Sequence, residues 1–217
     1  MTYIETDVHA SADQIAVLCH DAFLWSAAGT AHRVDELNLA QLQGVNLGGG
    51  HTVARLQQAL EAFPHCRFNI DIKSDDAVIP TVRCILAAGA IDRVLVTSFN
   101  DRRRRKALML LPGVATSASA GTSLFACVAA TFGQVALCRR ILRNVDAVQL
   151  PERYRMLRVL THRTVRVFRA SDVEVHAWTV NDPTDMDRLL DLGVDGLITD
   201  RPDLGMQVLR KRPRSRE

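Results

Sequence analysis

The sequence predicts a parallel α/β fold. Short β-branched or aromatic runs alternate with longer helical patterns along the chain. Apolar residues fill 47% and charged residues 24% of the 217 positions, an ordinary globular balance with enough apolar material for a core. No G-x-G-x-x-G or G-x-x-x-x-G-K-[ST] motif follows a strand run, which weakens the nucleotide-binding versions of such a fold. The alternation alone leaves a doubly wound sheet and a closed barrel equally open.

The strand runs cover 3–8, 15–20, 68–73, 94–98, 113–117, 147–150, 173–179 and 196–199, each bounded by turn residues. Helices are expected between them. In 52–63, Val53, Leu56, Leu60 and Phe63 recur at spacings of three and four. The run 75–88 carries Pro80 in its first turns, where proline is tolerated. A third helix covers 102–111, and 123–142 is helical with a break near Gly133. The last, 182–192, opens on Asn181-Asp182-Pro183 and stops before Gly193. Residues 21–51 fit no simple strand–helix unit and read as a rim insertion, with Gly48-Gly49-Gly50 as a turn into the next helix. One domain over 1–208 and a basic, mobile tail over 209–217 are expected.

The formal net charge is +3, from 27 basic and 24 acidic residues. The excess sits in Arg102-Arg103-Arg104-Arg105-Lys106 and in the tail, and both runs read as solvated surface. No basic face interleaved with aromatics is evident, so nucleic acid is not an expected partner. The five cysteines form no C-x-x-C pair and read as small core residues in a reducing compartment, which makes the cytoplasm the expected location. No apolar run reaches 18 residues, so no transmembrane segment is expected.

The chemistry-bearing residues gather at strand ends. Glu5 and Asp7 lie two apart on a strand and share a face. Two carboxylates turned toward an interior need compensation, which a hard divalent cation supplies; two solvated acids on an exposed edge explain the spacing equally well. Asn69, Asp71 and Lys73 share one face of an otherwise apolar strand. Asp71 is a candidate third oxygen ligand, and Lys73 a point charge for a phosphate oxygen. Oxygen-only ligation points to calcium or magnesium rather than zinc. His20, after the apolar run 16–19 and before Asp21, is placed for acid–base work near neutral pH, although a lone histidine is more often structural. Trp178 ends the 173–179 run and either caps an apolar part of a ligand or belongs to the core. If the strands close into a barrel, all these groups lie near the C-terminal strand ends that form the active face.

These segments resemble, in order, the glycerophosphodiester phosphodiesterase family. Ile4-Glu5-Thr6-Asp7-Val8 resembles its E-x-D strand, Cys19-His20-Asp21 its H-D motif, and Asn69-Ile70-Asp71-Ile72-Lys73 its N-[IV]-E-[IV]-K strand. Thr97-Ser98-Phe99-Asn100 is similar to its S-F strand end. Trp178-Thr179-Val180-Asn181 and the segment 193–202 are similar to its closing motifs, and the likeness spans 3–204. The resemblance implies a (β/α)8 TIM barrel of the phospholipase-C-like phosphodiesterase type. It implies a Ca2+ or Mg2+ ion held by Glu5, Asp7 and Asp71, a phosphate contact from Lys73, acid–base work by His20 and a substrate pocket lined by Trp178. It also implies metal-dependent hydrolysis of small glycerophosphodiesters to an alcohol and sn-glycerol 3-phosphate in lipid metabolism, through a cyclic phosphate that water opens. Asp71 stands where the family carries glutamate. The family's opening H-R-G strand and P-E-N-T helix have no counterpart before Glu5. A barrel missing its first strand and helix, impaired in activity and prone to self-association through open edges, is therefore expected. The alternative is a non-catalytic relic or binding barrel that retains the metal site.

Overall fold

The computed structural model describes residues 3–212. The chain divides into two compact units, one ending at Ser119 and the other starting at Ala120.

The first unit contains β1 (Tyr3–Ala10), β2 (Ala16–Leu18), β3 (Phe23–Trp25), β4 (Ala31–Arg33), α1 (Leu39–Gln43) and α2 (Leu56–Ala62). It continues with β5 (Arg67–Ile72), α3 (Val78–Ala87), β6 (Val94–Thr97), α4 (Asp101–Leu110) and β7 (Ala115–Thr116). Its main sheet has the order β2-β1-β5-β6-β7. Strands β1, β5, β6 and β7 are parallel, and β2 returns antiparallel on β1. Period-two alternation sorts the side chains. Val8, Phe68, Ile70, Ile72 and Val96 enter the core with Leu56 and Leu60 of α2 and Val78, Val82 and Ile85 of α3. That assignment sends Glu5, Asp7, Asn69, Asp71 and Thr97 to the opposite face.

The predicted helix at 52–63 begins only at Leu56. Leu18 donates its N–H to the Ala54 carbonyl and Val17 bridges Arg55, so this segment runs extended beside β2. Helical spacing at 52–55 is overridden by that pairing and by burial of Val53 with Val17, Leu24, Val34 and Leu42. Residues 21–51 hold the β3–β4 hairpin and α1, whose start is closed by a capping box between Asn38 and Gln41. Pro80 is the third residue of α3, where its missing N–H has no partner to lose.

The Arg102–Lys106 run corrects an expectation, because part of it is not solvated surface. Arg104 is buried and pairs with Asp101. Arg103 donates to the Ile72 carbonyl and to Ser98 Oγ while its Nε meets Asp75 at 2.9 Å. The run forms half of α4, and a helix packed on a sheet turns part of any charge run inward.

The second unit contains α5 (Ala120–Thr131), α6 (Val135–Ile141), β8 (Ala147–Pro151), β9 (Arg153–Tyr154), β10 (Leu157–Arg158) and α7 (His162–Arg169). It ends with β11 (Glu174–Trp178), α8 (Pro183–Leu192), β12 (Gly196–Leu197) and α9 (Pro202–Lys211). Its parallel sheet has the order β12-β11-β8. The break near Gly133 separates α5 from α6. The expected cap of α8 is present: Asp182 accepts from the Thr184 and Asp185 N–H groups, and Gly193 closes the helix at φ +95°. At Gly196 any side chain would collide with His176, since an added Cβ would stand 2.9 Å from the imidazole. Helices α7 and α9 and the β9–β10 hairpin carried no sequence expectation. In α7, alternating Arg and Val hide a helix that buries Val165, Val167 and Phe168. Helix α9 runs into the stretch read as tail, and Arg212 pairs with Asp187 and Asp191 of α8. Residues 213–217 of that expected tail lie outside the described residues. The described strands thus include four parallel ones in the first unit and three in the second.

Phe68 is 1% exposed and sits mid-sheet in the core of the first unit. Phe68→Ala is expected to destabilise the chain by about 3–5 kcal/mol through lost burial and a residual cavity. Urea unfolding followed by circular dichroism checks this, and a loss below ~1 kcal/mol would place Phe68 outside the core.

Candidate active site

Strands β1 and β5 are in parallel register, with Glu5 opposite Asn69 and Asp7 opposite Asp71. Asp71 in turn pairs with Thr97 of β6. The inner face therefore carries a polar row, and Lys73 follows directly at the C-terminal end of β5. Lys73 Nζ lies 2.8 Å from Asp7 Oδ1 and 2.7 Å from Asp71 Oδ2. The same ammonium lies 5.5 Å from the Phe99 ring centroid. The Lys73 N–H donates to the Val8 carbonyl, which extends the β1–β5 ladder by one bond.

These charges shape each other's titration. Partial burial, helped by the Asp7 charge, pushes the Glu5 carboxyl up to about 7, although Glu5 is an exposed residue and solvent screens part of that effect. Burial lifts Asp71 above the ordinary aspartate value, against the pull of Lys73. Burial also opposes the Lys73 ammonium, but its hydrogen bonds to Asp7 and Asp71 outweigh it and hold the amine above the ordinary lysine value. The cluster holds more negative charge than one ammonium neutralises.

Among the described residues no three His, Cys, Asp or Glu side chains stand close enough to hold a metal ion as they are. Lys73 supplies the cation between Asp7 and Asp71. The donor chemistry nevertheless fits a hard divalent ion. Asp71 Oδ1 and Asn69 Oδ1 are buried acceptors with no hydrogen-bond partner. With Glu5 and Asp7 they form an all-oxygen set of the kind calcium and magnesium take.

His20 stands on the loop after β2. Cys19 N–H donates to the Asp7 carbonyl, tying this loop to β1. The His20 ring is exposed, and its Nδ1 lies 2.7 Å from Asp21 Oδ1. A carboxylate that accepts from Nδ1–H leaves the Nε2 lone pair as the position that takes up or returns a proton. Burial, followed by the nearby Asp7 charge, pushes the Cys19 thiol up to about 12, so this neighbour of His20 is not a nucleophile at neutral pH.

Trp178 belongs to the second unit. It ends β11 with Pro151 of β8 as its register partner. Asn181 follows on the next turn and accepts from Thr199 Oγ1 and the Asp200 N–H, while its own amide donates to Asp200. The segments 178–181 and 193–202 are thereby joined by hydrogen bonds. His176 has its Nε2 2.9 Å from Glu174 Oε2.

The sequence assigns no site role to His9, Phe99 or Arg103. His9 continues the Glu5–Asp7 alternation by two more residues, which is the signal that would have found it. It is buried, and its Nε2 lies 3.3 Å from the His20 carbonyl, which can only accept. Burial lowers its pKa below the ordinary histidine value, against that hydrogen bond. Phe99 and Arg103 carried no periodic signal, because their contacts run to the end of β5 and the loop after it.

The model of the glycerophosphoryl diester phosphodiesterase family matches residues 1–204 of the chain. A probable glycerophosphodiester phosphodiesterase 2 of Mycobacterium tuberculosis is 45% identical over 208 residues, covering 95% of this chain and 79% of that protein. A glycerophosphodiester phosphodiesterase of Caldanaerobacter subterraneus is 26% identical over 96% of this chain and 86% of its own length. Among solved structures, a phosphodiesterase of Oleispira antarctica in complex with the product sn-glycerol-3-phosphate superposes with a TM-score of 0.78 at 19% identity, covering 97% of this chain and 86% of that one. The crystal structure of a "putative glycerophosphoryl diester phosphodiesterase" from Silicibacter pomeroyi gives 0.78 at 19%, covering 97% and 83%. The fold is the one these proteins share, in the α/β barrel class that the sequence implies.

The Glu5 shift has a stability consequence. The folded chain keeps a proton on Glu5 up to about pH 7, whereas the unfolded chain releases it near 4.5. This contribution is fully present below the unfolded value and is lost as pH rises through the folded value. Without divalent cation, wild-type melting temperature is expected to fall relative to Glu5→Gln between pH 5 and pH 8. Parallel melting profiles of the two proteins would show that Glu5 is not perturbed.

Proposed function

Because this chain belongs to the glycerophosphoryl diester phosphodiesterase family, whose members are phosphoric diester hydrolases, we propose that it hydrolyses small glycerophosphodiesters to an alcohol and sn-glycerol 3-phosphate. The observation that supports this most is the half-buried Asp7–Lys73–Asp71 cluster with its partnerless Asp71 Oδ1, on the strands that carry the family's motifs. Substrates of this class are deacylated phospholipids, so the reaction would belong to lipid metabolism.

Glu5, Asp7 and Asp71 would hold a Ca2+ or Mg2+ ion, which when bound polarises a phosphoryl oxygen and stabilises developing negative charge. Lys73 has three N–H donors and spends two on Asp7 and Asp71, leaving one for a phosphate oxygen. Phe99 supports the ammonium from the side. His20 Nε2, with Nδ1 held by Asp21, would take the proton from an attacking hydroxyl or return one to the leaving oxygen. Trp178 would offer an apolar surface to the glycerol or alcohol portion. Asp71 is one methylene shorter than glutamate, and its pairing with Lys73 is compatible with the shorter reach.

The test is release of sn-glycerol 3-phosphate from glycerophosphocholine by the chelator-treated chain, with Ca2+ or Mg2+ restored. Cation-dependent turnover is expected, with His20→Ala slower by about 10²–10⁴-fold and Asp7→Asn losing the response to cation. Turnover indifferent to chelation would overturn the metal assignment. Thermal stabilisation by the cation with no turnover on any glycerophosphodiester would support a binding barrel instead.

A further inference from the structure

Helices α5 and α6 present an apolar face that the catalytic reading does not use. Leu124, Phe125, Val128, Phe132 and Leu137 are all exposed, Phe125 at 67% and Phe132 at 73%. With Ile141, several of them line an open groove of about 670 Å³. Monomeric soluble proteins rarely leave contiguous apolar patches of this kind uncovered, and such patches mark protein or membrane contact sites. No Asp or Glu occurs between Asp101 and Asp146, so neither helix carries a carboxylate. The charged residues of α6 and the turn after it, Arg139, Arg140 and Arg143, are all basic. Arg139 turns to Asp172 and the Ala170 carbonyl. Arg140 and Arg143 are exposed and form no ion pair among the described residues. Arg163 reaches the Thr131 carbonyl beside Phe132.

We infer that the α5–α6 face docks the protein on an anionic lipid bilayer. Phenylalanine and leucine side chains would enter the headgroup–acyl boundary while Arg140, Arg143 and Arg163 meet the phosphates, the division of labour of an interfacial helix. No described helix is long and apolar enough to cross a membrane, so the contact is peripheral. A second copy of the chain fits the face less well. Two-fold pairing sets the same patch against itself, and this patch would bring arginine against arginine with no carboxylate on either helix to answer. An anionic surface has the complementary charge. Each arginine near such a surface contributes about 1 kcal/mol, roughly a fivefold change in partitioning, and the effect fades with salt.

The experiment is cosedimentation of the full chain with vesicles of phosphatidylcholine alone or mixed with phosphatidylglycerol, at low and high salt. Binding is expected to the mixed vesicles and to weaken with salt. Phe125→Ser/Phe132→Ser should lower partitioning by about tenfold or more, with unchanged melting because both rings are already exposed. Arg140→Glu/Arg143→Glu, which leaves the apolar face intact, should lower it by roughly tenfold or more. If the phenylalanine variant fails to fold, the arginine variant decides. Equal binding of both vesicle types, or wild-type binding by the arginine variant, would overturn the inference. So would a dimer in sedimentation velocity that the phenylalanine variant dissolves while vesicles bind neither protein.

Discussion

Three charges on two neighbouring strands constrain the first unit. Asp7 and Asp71 stand opposite each other in the β1–β5 register, and Lys73 bridges both. A parallel strand pair with one face in an apolar core must turn every second residue the other way. Here the core side is Val8, Phe68, Ile70 and Ile72, so the acids have no alternative orientation. Slipping the register by one residue would bury the carboxylates among α2 and α3, at a cost no local contact offsets. The charged row and the apolar core therefore specify the same pairing.

The surrounding residues hold that row at the C-terminal strand ends. Ser98 donates to the Ile72 carbonyl at 2.7 Å, and Arg103 donates to the same carbonyl from α4. Both restrain the backbone immediately before Lys73. Phe99 lies beside the ammonium. His9 reaches the loop of His20 from the same strand that bears Glu5 and Asp7. The carboxylates of the cluster thus rest on strands, while Ser98, Phe99 and Arg103, which brace Lys73, come from the loop and helix that follow β6. Removing one member of such a half-buried ionic cluster leaves the others uncompensated, which is why its worth lies more in geometry than in net stability.

Much of the sheet was legible because its strands are short apolar runs with turn residues at both ends, and because the charged positions interrupt those runs at period two. The chemistry of Glu5, Asp7, Asp71 and Lys73 could be proposed from that spacing. The helix start at 52–55 was misread because its spacing is helical while its neighbours are not, and the extended pairing with β2 won. The arginine run was misread for the opposite reason. A row of five basic residues has no periodicity of its own, so only the packing of α4 shows that Arg103 and Arg104 are the inward pair. Helix α7 was hidden by alternating Arg and Val, which mimics a strand over the few residues it occupies.

The sequence by itself determined the fold class, the order of the strand and helix runs, the caps of α8 and the identity of the oxygen-rich motifs on β1 and β5. These depend on local propensity and on which residues share a strand face, both properties of neighbours in the chain. The tertiary structure decided that Lys73 stands between Asp7 and Asp71, that His9 and Arg103 brace the site, and that Phe125 and Phe132 remain uncovered. Those outcomes are set by distances between residues far apart in sequence, and only chain packing fixes such distances. The oxygen site was readable as chemistry before it was readable as geometry, because spacing names donor atoms but not the cation that ends up between them.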